Sequence, residues 1–152
     1  MRRRCDAGAA TSTTITGLVN GTTYTFRIRA VNAAGTSALT APSNAVTPAT
    51  VPNAPVIGTA TRGAAGGNLT AVANWSAPAN TGGSPIVSYR VTALRLAANG
   101  VTVLSSTSIT VGQGARSRSF TLAAGTYRFV VVATNAVGDS VSSARSNAVA
   151  PR

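Results

Sequence analysis

The tract Tyr24-Thr25-Phe26-Arg27-Ile28-Arg29-Ala30-Val31-Asn32 returns as Tyr127-Arg128-Phe129-Val130-Val131-Val132-Ala133-Thr134-Asn135, an offset of 103 residues (127 − 24). The same offset relates Ser43-Asn44-Ala45-Val46 to Ser146-Asn147-Ala148-Val149, and Pro48 to Pro151. A repeat of about a hundred residues, built from alternating apolar positions and turn residues, points to tandem β-sandwich modules. A sandwich buries the apolar face of one sheet against a second sheet, so 152 residues hold one complete module and part of another.

The strand pattern is read from period-2 alternation. Thr11 to Leu18 alternates, Asn20-Gly21 turns, and Tyr24, Phe26, Ile28 and Ala30 share one face, which predicts two antiparallel strands with a third at Ser43 to Val46. These three strands present an apolar face with no opposing sheet, so the first repeat is expected to be poorly stable alone. Pro48, Pro52 and Pro55 then mark a linker over 49–55, because proline removes amide donors and favours extended backbone. Beyond it the expected strands are Val56 to Ala60, Asn68 to Ser76, Ile86 to Leu96, Val101 to Thr107, Arg116 to Leu122, Tyr127 to Asn135 and Ser143 to Val149. Asn99-Gly100 between two of them is a hairpin signal, since both residues tolerate positive φ. The domain reading is a basic tail over 1–10, the C-terminal part of a module over 11–48, the linker, and a complete module over 56–152. The fold class is all-β, a Greek-key sandwich of immunoglobulin type.

The charge inventory restricts chemistry more than any motif does. All thirteen basic residues are Arg, Lys, His and Glu are absent, and the only acidic side chains are Asp6 and Asp139. Glycoside hydrolysis needs two placed carboxylates, acyl transfer needs a base beside its nucleophile, and zinc needs several Cys, His or carboxylate ligands. None of these sets can be assembled, so no catalytic residue, cofactor or metal is expected. Cys5 has no partner for an intrachain disulfide and reads as a tail thiol. Met1 to Arg4 is followed by Cys5-Asp6-Ala7-Gly8 and not by a hydrophobic stretch, so no export signal is read, and no apolar run reaches the ~20 residues a spanning helix needs. A net charge of +11 invites a nucleic-acid reading. The arginines are spread along the chain without interleaved aromatics to stack bases, so no specific nucleic-acid site is expected.

These residues resemble the fibronectin type III domain, across Val51 to Arg152 and partially across Thr11 to Pro48. The features that carry the resemblance are Trp75 on the second strand, Tyr89 on the third, and Leu18-x-x-Gly21-Thr22-x-Tyr24-x-Phe26 at the corner before the penultimate strand. The resemblance implies that Tyr24 anchors this corner by bonding backbone just upstream. It also places Tyr24, Phe26, Trp75, Tyr89, Leu122, Tyr127 and Phe129 in the core. The second copy, Leu122 to Tyr127, is one residue shorter than Leu18 to Tyr24, and Phe120 is the one ring left unassigned. The proline- and glycine-rich stretches around Pro55 and Pro78 to Pro85 look like the repeats of high-GC bacteria. There such modules stand in tandem in secreted or wall-associated proteins, often beside carbohydrate-active or adhesive domains.

Two functions follow from the resemblance. The first is a non-catalytic spacer whose partners are the neighbouring domains of a longer chain, outside the cell or on its wall. The second is an interaction module that binds a protein or an anionic wall polymer through loops carrying Asn80, Gly82, Gln113, Arg116 and Asp139. Val137-Gly138-Asp139-Ser140 lacks the Arg of an integrin-binding Arg-Gly-Asp loop, and the rings assigned to the core leave little exposed aromatic surface for sugar. The spacer reading is preferred because no loop carries an aromatic anchor.

Overall fold

The computed structural model describes residues 11–152; the basic stretch 1–10, including Cys5 and Asp6, lies outside the described residues. The chain divides into two compact units, Met1–Pro48 and Ala49–Arg152.

Among the described residues of the first unit, only a hairpin of β1 (Val31–Asn32) and β2 (Gly35–Thr36) has regular strand pairing. Asn32 Oδ1 holds its turn by accepting the amides of Ala34 and Gly35 at 2.9 and 3.1 Å. Of the three strands expected here, Thr11 to Leu18 has no regular strand pairing, and the other two are replaced by a different ladder. The Ser37, Thr40, Ser43 and Val46 amides donate to the carbonyls of Ala30, Ile28, Phe26 and Tyr24. In return the Phe26, Ile28 and Ala30 amides donate to the hydroxyls of Ser43, Thr40 and Ser37 at 2.9 to 3.1 Å. One side advances three residues for every two on the other, so neither side forms an ordinary strand. Tyr24 and Phe26 are half-buried, and Ile28 is 70% exposed. The apolar face of this unit is thus largely uncovered.

The second unit is an all-β sandwich. One sheet places β3 (Val56–Ile57) and β4 (Thr61–Arg62) along one side of β5 (Thr70–Ser76), with β8 (Ser117–Thr121) along the other. The second sheet has the order β7 (Val103–Gly112), β6 (Ile86–Leu96), β9 (Thr126–Asn135). β3 and β4 are two halves of the expected edge strand, with a one-residue slip in register between them. The backbone leaves the ladder there because the Asn147 side chain takes over: its Oδ1 accepts the Ala60 amide at 2.7 Å and its Nδ2 donates to the Ala60 carbonyl at 3.0 Å.

Alternation along β5, β6 and β9 delivers the core. Ala71, Ala73 and Trp75 face Tyr89, Val91 and Ala93, joined by Tyr127, Phe129, Val131 and Ala133, all buried. Trp75 and Tyr89 stand with ring centroids 5.7 Å apart. Phe120, unassigned from sequence, is 1% exposed and packs on Phe129 at 5.3 Å. Small residues on β5 leave room for these rings, and each buried aromatic or Val contributes about 1.5–3 kcal/mol by leaving water. Leu122 is partly buried at the margin of this cluster.

Two expectations need correction. The Asn99-Gly100 hairpin forms, but only Gly100 has positive φ (69°), and the connection is not a two-residue turn. Asn99 stabilises a longer loop instead, its Oδ1 accepting the amides of Val101 and Thr102, and β7 runs to Gly112. The last segment, Ser143 to Val149, is not a regular strand either. It pairs with β9 by the same device as the first unit. The amides of Ala133, Val131 and Phe129 donate to the hydroxyls of Ser140, Ser143 and Ser146 at 2.9 to 3.0 Å. The three serine amides donate back to the same residues' carbonyls at 2.8 to 2.9 Å. Three residues matched to two of a strand advance about 2.2 Å each, against about 3.3 Å in extended β backbone. Each hydroxyl also donates to the next carbonyl, so it satisfies both chains at once.

Both tyrosine corners form, and the missing residue in the second changes the bond. Tyr24 Oη accepts the Val19 amide at 3.0 Å, five residues upstream. Tyr127 Oη donates to the Ala123 carbonyl at 3.2 Å, four residues upstream.

Candidate functional site

Strand register brings three loops of the second unit to one pole. Val56 pairs with Ser76, Asn74 with Ser117, and Ser88 with both Gly112 and Thr134. The loops 77–85, 113–116 and 136–139 therefore leave the sandwich at the same end, and with them all five residues proposed as an interaction surface. Each of the five already has work inside the module.

Asn80 and Gly82 hold the incoming chain. The Asn80 carbonyl accepts the Asn53 amide at 2.9 Å, and the Gly82 carbonyl accepts the Thr50 amide at 2.8 Å. Asn80 Oδ1 shapes the loop by accepting the Gly82 amide at 2.8 Å. Gly82 has φ +76°, and a Cβ there would collide with the Thr50 carbonyl oxygen. The segment expected as a linker is thus bonded along the pole from Thr50 to Asn53. Asn135, which sequence reasoning did not single out, completes the clamp. It is 3% exposed, and its Nδ2 donates to the Thr50 and Thr81 carbonyls at 2.7 and 2.8 Å. Its Oδ1 accepts the amides of Val137 and Gly138, as Asn32 does for its own turn. The repeat of Asn32-x-x-Gly35 as Asn135-x-x-Gly138 was the available signal.

A Gly82→Ala change is expected to cost about 1–3 kcal/mol, combining a left-handed backbone with a steric clash. Denaturant unfolding measures the loss, and faster hydrogen exchange at the Thr50 amide locates it.

Gln113, Arg116 and Asp139 serve the module in the same way. Arg116 Nη1 donates to the carbonyls of Gln113 and Ala115 at 2.8 and 2.6 Å, and its guanidinium lies 5.3 Å from the centre of the Tyr89 ring. It fastens its loop over the core. Asp139 accepts from Thr134 Oγ1 at 2.6 Å and pairs with Arg90 at 3.0 Å. The Thr134 hydrogen bond lowers the Asp139 carboxyl below its ordinary 3.8; partial desolvation opposes that, and Arg90 adds to the lowering. A depressed folded-state value means that the contribution to stability is present above the unfolded value and is lost as pH falls through the folded one. Side-chain exposures of 48% and 42% for Arg90 and Asp139 keep the effect small. Asp139→Asn is expected to lower the thermal midpoint slightly at pH 7. That difference should begin to shrink as pH falls below about 3.8, vanish once the folded-state carboxyl is protonated, and shrink in high salt, as paired melts would show.

Three further arginines of the second unit are bonded within it. Arg95 donates to the Ala124 carbonyl, Arg128 to Ser146 and Arg145 to Val101, at 3.0, 3.0 and 3.1 Å. They do not converge on a groove of the kind that tracks a phosphate backbone. Asp139 is the only acidic side chain among the described residues. No group of three His, Cys, Asp or Glu forms among the described residues, and no helix there is long and apolar enough to cross a membrane.

The opposite pole is where the chain leaves. Thr70, the first residue of β5, exchanges backbone hydrogen bonds with Arg152 at 3.0 and 3.1 Å. The polypeptide enters the second unit beside the end of β5 and reaches Arg152 beside its beginning.

Residues 3–46 match the model of the fibronectin type III domain family. Over 141 residues the chain is 38% identical to Chitinase A1 of Niallia circulans, covering 91% of this chain and 18% of that protein. Over 88 residues it is 39% identical to a Kelch domain-containing protein of Saccharolobus solfataricus, covering 57% of this chain and 11% of that protein. It spans less than a fifth of either relative. Among solved structures, domains d3–d4 of the rat CD45 extracellular region superpose with a TM-score of 0.59 at 14% identity, covering 98% of this chain and 75% of that one. This last likeness is one of fold.

Proposed function

We propose that this chain, of fibronectin type III type in sequence and fold, is a non-catalytic spacer that sets neighbouring domains of a longer protein apart, outside the cell. The observation that carries this reading is the polarity of the second unit. The chain enters at one pole, held from Thr50 to Asn53 by Asn80, Gly82 and Asn135, and leaves at the other beside Thr70. A domain strung in this way adds its own length to an array. A strand as long as β6, at about 3.3 Å per residue, gives a bead roughly 33 Å long.

The similarity to Chitinase A1, of which this chain covers 18%, supports a place beside a carbohydrate-active domain. The loop residues support the spacer over the interaction module, because none is an aromatic anchor and the side chains of Asn80, Arg116 and Asp139 are bonded within the fold. A binding survey tests this. The spacer gives only weak attraction to anionic polymers that disappears with salt. Saturable binding that Gln113→Ala abolishes at an unchanged melting temperature, or that Asp139→Asn abolishes with only its slight loss of midpoint, would establish the interaction module instead.

A further inference from the structure

Sheet edges carry unpaired backbone donors and acceptors, and proteins guard them with short strands, charge, proline or irregular backbone. Three of the four edges in the second unit are guarded in these ways. The β3 and β4 edge is interrupted at Gly58 to Ala60 and preceded by Pro55. The β8 edge is five residues long and carries Arg118. The Ser140 to Val149 edge is compressed into a three-for-two ladder that cannot template a strand.

The β7 edge has none of these protections. It is ten residues long, exposed along most of its length, and pairs only with β6 among the described residues. No charged residue and no proline occurs between Arg95 and Arg116. The two arginines on β6 turn away from it: Arg90 reaches Asp139, and Arg95 reaches the Ala124 carbonyl. An acidic peptide laid along β7 would therefore meet no countercharge from β7 or from its neighbour β6, in spite of the net charge of +11.

We propose that β7 pairs with β7 of a second copy of this chain, antiparallel, joining the two three-stranded sheets into one continuous sheet. The strand is complementary to itself. A two-fold axis at Thr107 sets Ser108 opposite Ser106, Ile109 opposite Ser105, Thr110 opposite Leu104, and Val111 opposite Val103, with uncharged side chains throughout and no like charges in contact. Val103, Ile109 and Val111 lie on the core side of β7, where Ile109 and Val111 already pack partly on the core. The pairing extends that apolar strip across the dimer. This inference goes beyond the spacer reading, since it lets spacers associate side by side.

Sedimentation velocity on the whole chain over a wide concentration range tests it. The expected result is a monomer–dimer equilibrium that Thr107→Lys weakens by at least about tenfold, because like charges then face each other across the axis. Thr107 is exposed, so the melting temperature should not move. Ile28→Arg, placed on the uncovered face of the first unit, should leave the dimer intact. Hydrogen exchange on the unaltered chain gives a second readout, in which the β7 amides pointing away from β6 gain protection as concentration rises. A chain that stays monomeric at every concentration overturns the proposal. So does a dimer that Ile28→Arg abolishes and Thr107→Lys leaves unchanged.

Discussion

Replacing Ser140, Ser143 and Ser146 together by Ala is expected to unfold the second unit at ordinary temperature. Each hydroxyl accepts a buried amide of β9, at Ala133, Val131 and Phe129, and each serine is 7% exposed or less. Removing one leaves a strand amide without a partner in a dry environment, at about 1–3 kcal/mol. Three such losses in one ladder approach the 5–15 kcal/mol total that a domain of this size usually has. Single variants should lower the denaturant midpoint stepwise and speed hydrogen exchange first at the orphaned amide. The repeat supplies a control. Thr40 occupies in the first unit the place of Ser143 in the second, with the same hydroxyl bond to a strand amide. Ser143→Thr is therefore expected to retain that bond and most of the stability. If the triple Ala variant melts like the parent, the hydroxyl ladder is not what holds the last segment.

Trp75→Ala is expected to cost about 3–5 kcal/mol, the range for deleting a buried large aromatic side chain. Trp75 is 4% exposed between the two sheets, and its removal opens a cavity against Tyr89 and Ile57. β5 cannot collapse into that space, because it is held on both sides, by β3 and β4 and by β8. The loss should appear as a lower midpoint with weakened near-ultraviolet circular dichroism.

How much of this was legible in the sequence depends on how local each signal is. The long alternating strands were plain, Ile86 to Leu96 to the residue, because period-2 patterning against a single core is a local property. The core places of Trp75, Tyr89 and Phe129 came from the family resemblance, whereas Phe120, on a five-residue strand, had too short a pattern to assign. The serine ladders were misread as strands. Ser37-x-x-Thr40-x-x-Ser43 and Ser140-x-x-Ser143-x-x-Ser146 have period three, which neither the helical nor the strand template detects, although the repeat displays it twice. The loop residues are brought to one end by strand register, and their partners there are not visible in the sequence. Gly82 makes way for Thr50, and Asn135 reaches Thr50 across 85 positions, contacts that only the folded chain reveals.

The spacer reading rests on the poles of the second unit, and a distance measurement tests it most directly. Spin labels at Asn53→Cys and Arg152→Cys, in a Cys5→Ser background, report the separation of the points where the chain enters and leaves. The rise across Thr70 to Ser76 is about 20 Å, and three extended residues from 53 to 56 add about 10 Å. A spacer with its poles at opposite ends gives a single narrow distribution centred near 30 Å, unchanged by salt. A broad distribution, or one centred well below 20 Å, would contradict it, because a chain that enters and leaves at the same pole cannot lengthen an array.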